Sequence, residues 1–194
     1  FKTSRHMGHF VRSIIGFGAM ICFFTSFALL PLANASAIHF ASPLILVLLS
    51  VFFMNERVGP HRWGAVIVGL LAVLFMLQPA GEGNFAGSVV ALAAAFMGAF
   101  VMIAIRKLGM TENPLTIVFY FSIYSTLFSA LWMITAWEPV TGLSLFYLIC
   151  TGLIGGLAQV FTTYAYAHAP ASFVSPFTYL ALIFACLLDW AVWG

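Results

Sequence analysis

Residues 29–74 read LLPLANASAIHFASPLILVLLSVFFMNERVGPHRWGAVIVGLLAVL. Two apolar runs, near 38–54 and 63–79, flank a short link, NERVGPHR, that holds Glu56, Arg57 and Arg62. A membrane-spanning helix needs about 17–25 predominantly apolar residues, and so short a link leaves the second run no direction but back. The stretch therefore predicts two antiparallel membrane helices. The rest of the chain has the same texture: of 194 residues, 63% are hydrophobic and 6% charged, where a soluble domain carries about a quarter charged. A water-soluble globule is excluded.

Working outward from that pair, the chain divides at its charges, prolines and glycines into seven spans, near 13–33, 38–54, 63–79, 85–105, 115–136, 143–167 and 173–193. The connections are short, which predicts antiparallel neighbours in one compact bundle rather than two domains. The fold class is an all-α membrane protein, a polytopic helical bundle. All 7 Lys and Arg residues fall on one side of these spans. Lys2, Arg5 and Arg12 precede the first, Arg57 and Arg62 separate the second and third, and Arg106 and Lys107 separate the fourth and fifth. The opposite loops, PLANAS, PAGEGN and WEPVTG, contain none. Cytoplasmic loops carry the Lys/Arg excess, so the basic loops are expected on the cytoplasmic face, in a bacterial inner membrane. The chain opens at Phe1, not Met, and ends at Gly194 in an apolar run, which leads us to expect a longer parent.

A net charge of +2, scattered between apolar segments, leaves no nucleic-acid footprint. Cys22, Cys150 and Cys186 sit in apolar stretches without CxxC spacing and read as small apolar residues. Gly152 with Gly156, Ala94 with Gly98, and Ala65 with Gly69 have the four-residue spacing of helix-packing seams.

The chain also carries an internal echo. Phe24-Thr25 matches Phe161-Thr162, Ala28 matches Ala165, and Ala33, Ala35 and Ser36 match Ala169, Ala171 and Ser172; after a gap, Ser42-Pro43 matches Ser175-Pro176. An odd number of spans separates the two copies, so the second crosses the membrane in the opposite sense. Inverted repeats of this kind place substrate near the bilayer midplane and support alternating access by rocking of the halves.

The stretches LLPLANASAIHFASPLILVLLSVFFMNERVGPHRWGAVIVGLLAVL and TYAYAHAPASFVSPFTYLALIFACLLDWAVWG resemble the EamA type of the drug/metabolite transporter superfamily. The resemblance implies ten helices in two inverted five-helix repeats, with helices three to nine present here. Residues 1–80 would end the first repeat, and 85–194 would be the second without its last helix. It also implies that Pro43 and Pro176 lie beside a central cavity, and that Glu56-Arg57 is an acidic–basic pair at the cytoplasmic end of the fourth family helix. We expect that pair to act as a structural latch. The family's acidic residue after helix nine would fall beyond Gly194.

Polar groups within hydrocarbon are candidate functional positions. Asn34, Ser36, His39 and Ser42 lie around the outer junction of the first two spans, and His39 could change charge near neutral pH. Gln159, Thr163 and Tyr166 share a helix stripe that we expect to wall a substrate cavity, with Tyr179 beyond it. Thr162, Tyr164, His168, Ser172, Ser175 and Thr178 lie along the same two spans. Each has a plainer alternative: a solvated histidine, threonines bonded to their own preceding carbonyls, or interfacial tyrosines. Asp189 is the one acid within a span, a proton site or a carboxylate that reaches water. Tyr120, Tyr124 and Trp132 are expected to face lipid or neighbouring helices.

The expected function is secondary transport of a small organic metabolite by alternating access. The alternatives are a non-transporting sensor or scaffold, and an intramembrane enzyme. The sequence has no HExxH, GxSxG or P-loop, so no catalytic residue, metal or cofactor is expected. The expected partners are a small-molecule substrate and the lipid bilayer, and a homodimer is compatible with the sequence.

Overall fold

A computed structural model describes residues 3–76, 85–137 and 139–193. Its regular structure is helical: α1 (His6–Leu29), α2 (Leu32–His39), α3 (Ser42–Met54), α4 (Pro60–Met76), α5 (Phe85–Gly109), α6 (Pro114–Met133), α7 (Gly142–His168), α8 (Ala171–Val174), a 3-10 turn Ser175–Tyr179, and α9 (Leu180–Trp193). Among the described residues, five stretches are long and apolar enough to cross a membrane: α1, Asn34–Met54 through the α2–α3 junction, α5, α6 and α7. Helices α4, with 17 residues, and α9, with 14, are shorter.

The span boundaries shift in an informative way. Helix α1 begins at His6, so Arg12 lies inside it and not in the preceding loop. Arg106 and Lys107 likewise form the last turn of α5, where cations complement the helix dipole. The last span, expected as one helix over 173–193, is broken into α8, the 3-10 turn and α9.

Local sequence explains several ends. Asn113 caps α6, its Oδ1 accepting from the Leu115 amide at 2.9 Å, with Pro114 in the first turn where its missing N–H costs least. Helix α3 ends at Asn55, which adopts the left-handed conformation at φ 52° and ψ 33°, a state that asparagine tolerates better than most residues. That reversal delivers Glu56 directly after the helix.

Where one bundle was expected, the contacts gather into two compact units, with α1 and α5 contributing to both. The first comprises residues 1–17 and 104–168. Within it, His9 stacks on Tyr120 at 4.8 Å, Phe10 meets Tyr124 at 5.5 Å and Phe17 meets Phe128 at 5.5 Å. Tyr120, Tyr124 and Phe128 recur at four-residue spacing, so one stripe of α6 zips onto one stripe of α1. The second unit comprises residues 18–103 and 169–194. Its buried cluster of Leu30, Ala35, Ile38 and Ala91 is flanked by Phe27 and Leu92.

Candidate functional site

Within the second unit the chain makes the same construction twice. Pro31 precedes α2 with φ −53° and ψ 140°, and Pro170 precedes α8 with φ −55° and ψ 139°. In each case a short helical segment follows, then a junction, then a longer helix: α2 into α3, and α8 with the 3-10 turn into α9. The ring fixes φ at each proline and leaves no N–H to satisfy at the segment's start. One constant sequence interval relates Pro31 to Pro170, Ser36 to Ser175 and Phe40 to Tyr179. The pairing of Pro43 with Pro176 is thereby corrected. Pro43 is buried in the first turn of α3, whereas exposed Pro176 opens the 3-10 turn one segment earlier. A gapped match between Ala-rich stretches had slipped the register.

Phe40 and Tyr179, equated by that interval, touch each other. Their rings stack at 5.8 Å and the Tyr179 hydroxyl donates to the Phe40 carbonyl at 2.9 Å.

Glu56 ties the copies together at their other end. Its Oε1 accepts from the Ala171 amide at 2.8 Å and its Oε2 from the Ser172 amide at 3.0 Å. The residue that would cap α8 from its own chain neighbourhood is Pro170, which has no side-chain acceptor, so a carboxylate from the end of α3 takes that place. Burial works against the charge on Glu56, but hydrogen bonds from the Ser172 hydroxyl and amide and from the Ala171 amide outweigh it, and its pKa is lowered. Arg57, expected as its partner, is exposed.

The other candidate residues separate by unit. Half-buried His39 ends α2, held between Phe23 at 4.4 Å and Phe27 at 5.5 Å. The Ser26 hydroxyl donates to the Phe23 carbonyl at 2.6 Å, so it accepts from His39 Nε2 at 2.9 Å and fixes the tautomer. His39 thus has the contacts of a residue that fastens α2 to α1. Asn34 is exposed, and half-buried Ser42 opens α3. The side chain of Asp189 lies outside the described residues.

Gln159, Thr163 and Tyr166 lie on α7 in the first unit. Thr163 is fully buried, its hydroxyl donating back to the Gln159 carbonyl at 2.8 Å, while Gln159 Nε2 is buried without a partner among the described residues. Tyr166 is buried, and the carbonyls of Tyr166 and Ala167 accept from Arg106 Nη1 at 3.4 and 2.8 Å. Reading Arg12 as a loop cation hid a further polar face on α1. His9, Arg12 and Ser13 recur at helical spacing and are all buried; extending the first span to His6 would have exposed that stripe. Among the described residues no cluster of His, Cys, Asp and Glu could hold a metal ion.

A model described as the EamA-like transporter family matches residues 3–78 and 85–194. The pseudopaline exporter CntI of Pseudomonas aeruginosa is 30% identical over 190 residues, covering 95% of this chain and 66% of that protein. The riboflavin transporter of Rhizobium johnstonii is 32% identical, covering 98% of this chain and 62% of that protein. The S-adenosylmethionine uptake transporter of Rickettsia felis is 26% identical, covering 100% of this chain and 66% of that protein. The chain therefore spans slightly under two-thirds of the length of these relatives. No solved structure matches it.

Proposed function

We propose a transport function for this chain, which belongs to the EamA-like transporter family: as part of an integral membrane protein, it carries a small organic metabolite across the bacterial cytoplasmic membrane by alternating access, without a nucleotide. The observation that carries this reading is the duplicated broken helix with its self-meeting Phe40–Tyr179 pair. Irregular backbone at membrane depth is tolerated only where protein buries it or a cavity lies beside it, and paired discontinuous helices are where secondary transporters hold substrate.

On this reading Glu56 is the latch. It binds the start of α8 while one face is closed and releases it when that face opens. Pro43, Pro176 and Tyr179 belong to the wall in the second unit; Gln159 and Tyr166 furnish polar lining on α7, while Thr163 supports that stripe through its bond back to the Gln159 carbonyl. The contacts of His39 favour a fastening role over substrate contact. The relatives' substrates, pseudopaline, riboflavin and S-adenosylmethionine by name, suggest a polyfunctional metabolite, and riboflavin and S-adenosylmethionine are the first to try. The test is counterflow by the full-length protein in liposomes, with and without a pH gradient. Saturable counterflow is expected; folded protein that moves neither these nor any of a broad metabolite set would overturn the proposal.

A further inference from the structure

Arg12 sits in the second turn of α1, about 9 Å along the axis from the helix start, and is 1% exposed. The Phe121 ring lies under its guanidinium, 3.5 Å from Cζ to the ring centroid. That contact covers one face of the plane and leaves the in-plane donors. Nε and Nη1 are buried and bonded to nothing among the described residues. Beside it in sequence, Ser13 is fully buried and one turn back His9 is 1% exposed; Ser13 Oγ and His9 Nδ1 have no partner among the described residues. Their spacing puts all three on one face of α1. On α6, one turn beyond Phe121, the Ser125 hydroxyl is also buried and has no partner among the described residues.

The protonation of His9 follows from its neighbours. Thr3 Oγ1 donates to Glu112 Oε1 at 2.7 Å and accepts from the Arg5 amide at 2.9 Å. Its remaining lone pair meets His9 Nε2 at 3.2 Å, so Nε2 carries the proton and Nδ1 is left with a free lone pair. The Glu112 carboxylate is thereby engaged through Thr3. A buried guanidinium without a counter-charge is costly, and an intramembrane ionisable group marks a functional position by default.

We infer that Arg12, with Ser13 and His9, forms a carboxylate-binding subsite within the first unit, with Phe121 holding the guanidinium plane. The carboxylate accepts from one in-plane edge of the guanidinium, at Nε or at Nη1, a charge-assisted contact whose geometry a lysine cannot reproduce. The Ser13 hydroxyl donates to the second oxygen, and His9 Nδ1 accepts from a neighbouring N–H or O–H of the same ligand. The subsite rests on the transporter reading and narrows it to solutes bearing a carboxylate, as S-adenosylmethionine does and riboflavin does not; riboflavin serves below only as a test of transport.

The test uses the full-length protein in nanodiscs and liposomes, with benzoate, L-tryptophan and succinate as probes, each against its carboxamide. Thermal-shift titration of the wild type is expected to favour at least one acid over its amide by tenfold or more. Arg12→Gln is expected to bring that preference within twofold, Arg12→Lys to recover only part of it, and Ser13→Ala, which keeps the charge, to weaken the acid severalfold. If Arg12→Gln does not fold, the Lys and Ala variants decide by the same ratio. An unchanged preference in the variants overturns the subsite, as does a wild type that binds acids and amides alike or binds none of them. Counterflow of riboflavin or S-adenosylmethionine separates the two levels. Flux with any of those outcomes removes the subsite and leaves the transporter, whereas absence of all solute flux removes the transporter reading itself.

Discussion

At Glu56, one carboxylate substitutes for the capping side chain that Pro170 lacks, and its energetics are open to direct test. A hydrogen bond to a charged group is worth about 1.5–3 kcal/mol, less where solvent screens it. Glu56→Ala is therefore expected to cost about 2 kcal/mol and Glu56→Gln about 1 kcal/mol, read from unfolding in detergent. The pH dependence has a definite sign. Because the folded state lowers the pKa of Glu56, its contribution is present above the ordinary carboxylate value of 4.5 and fades as pH falls through the lowered pKa. The stability gap between wild type and Glu56→Gln should be constant near neutrality and close in that acid window; a gap unchanged down to pH 3 would contradict the capping role. Tyr179→Phe keeps the ring on Phe40 and removes one hydrogen bond, at about 1 kcal/mol.

Helix ends carry specific contacts within each unit, from Arg106 to the end of α7 and from Glu56 to the start of α8. A Cβ placed on Gly109 at the end of α5 would lie 2.6 Å from the Ala167 Cβ and 2.7 Å from its Cα. The neighbour is largely backbone and has no side chain to move. Gly109→Ala should therefore part α5 from α7 and lengthen the bonds from Arg106 to the Tyr166 and Ala167 carbonyls, costing about 1–3 kcal/mol. Thermal unfolding checks it, with Gly59→Ala as the control, since nothing lies near a Cβ there. The left-handed Asn55 makes the complementary prediction: Asn55→Gly is tolerated, whereas Asn55→Val costs about 1–2 kcal/mol and, by misdirecting Glu56, lowers transport as well.

For the whole molecule, the proposed topology puts the α3–α4 link in the cytoplasm and the α1–α2 link outside. In a background without Cys22, Cys150 and Cys186, a membrane-impermeant thiol reagent should label His61→Cys only in inverted vesicles and Asn34→Cys only from outside. Labelling of both from one side would refute the arrangement. Gln159→Ala and Tyr179→Ala are expected to lower counterflow several-fold while leaving insertion intact, and unchanged kinetics in both would remove the proposed wall.

The class of the molecule was legible from residues 29–74 alone, because hydrocarbon admits few solutions: long apolar runs parted by short charged links must become antiparallel spanning helices. The EamA resemblance and a repeated Pro-containing segment were readable for the same reason, since both are written in local order. Register was not. Ala-rich stretches match at several offsets, and only the shared backbone at Pro31 and Pro170 and the meeting of Phe40 with Tyr179 chose among them. Nor could local pattern show that the Arg12 guanidinium lies over Phe121, or that Glu56 reaches amides far along the chain at Ala171 and Ser172. Those contacts join residues remote in sequence, and a charge in the sequence looks the same whether water, a ring or a helix end awaits it. Hydrophobic patterning determined what the chain is; the placement of its few polar groups, each costly in hydrocarbon without a partner, was decided only by the tertiary fold.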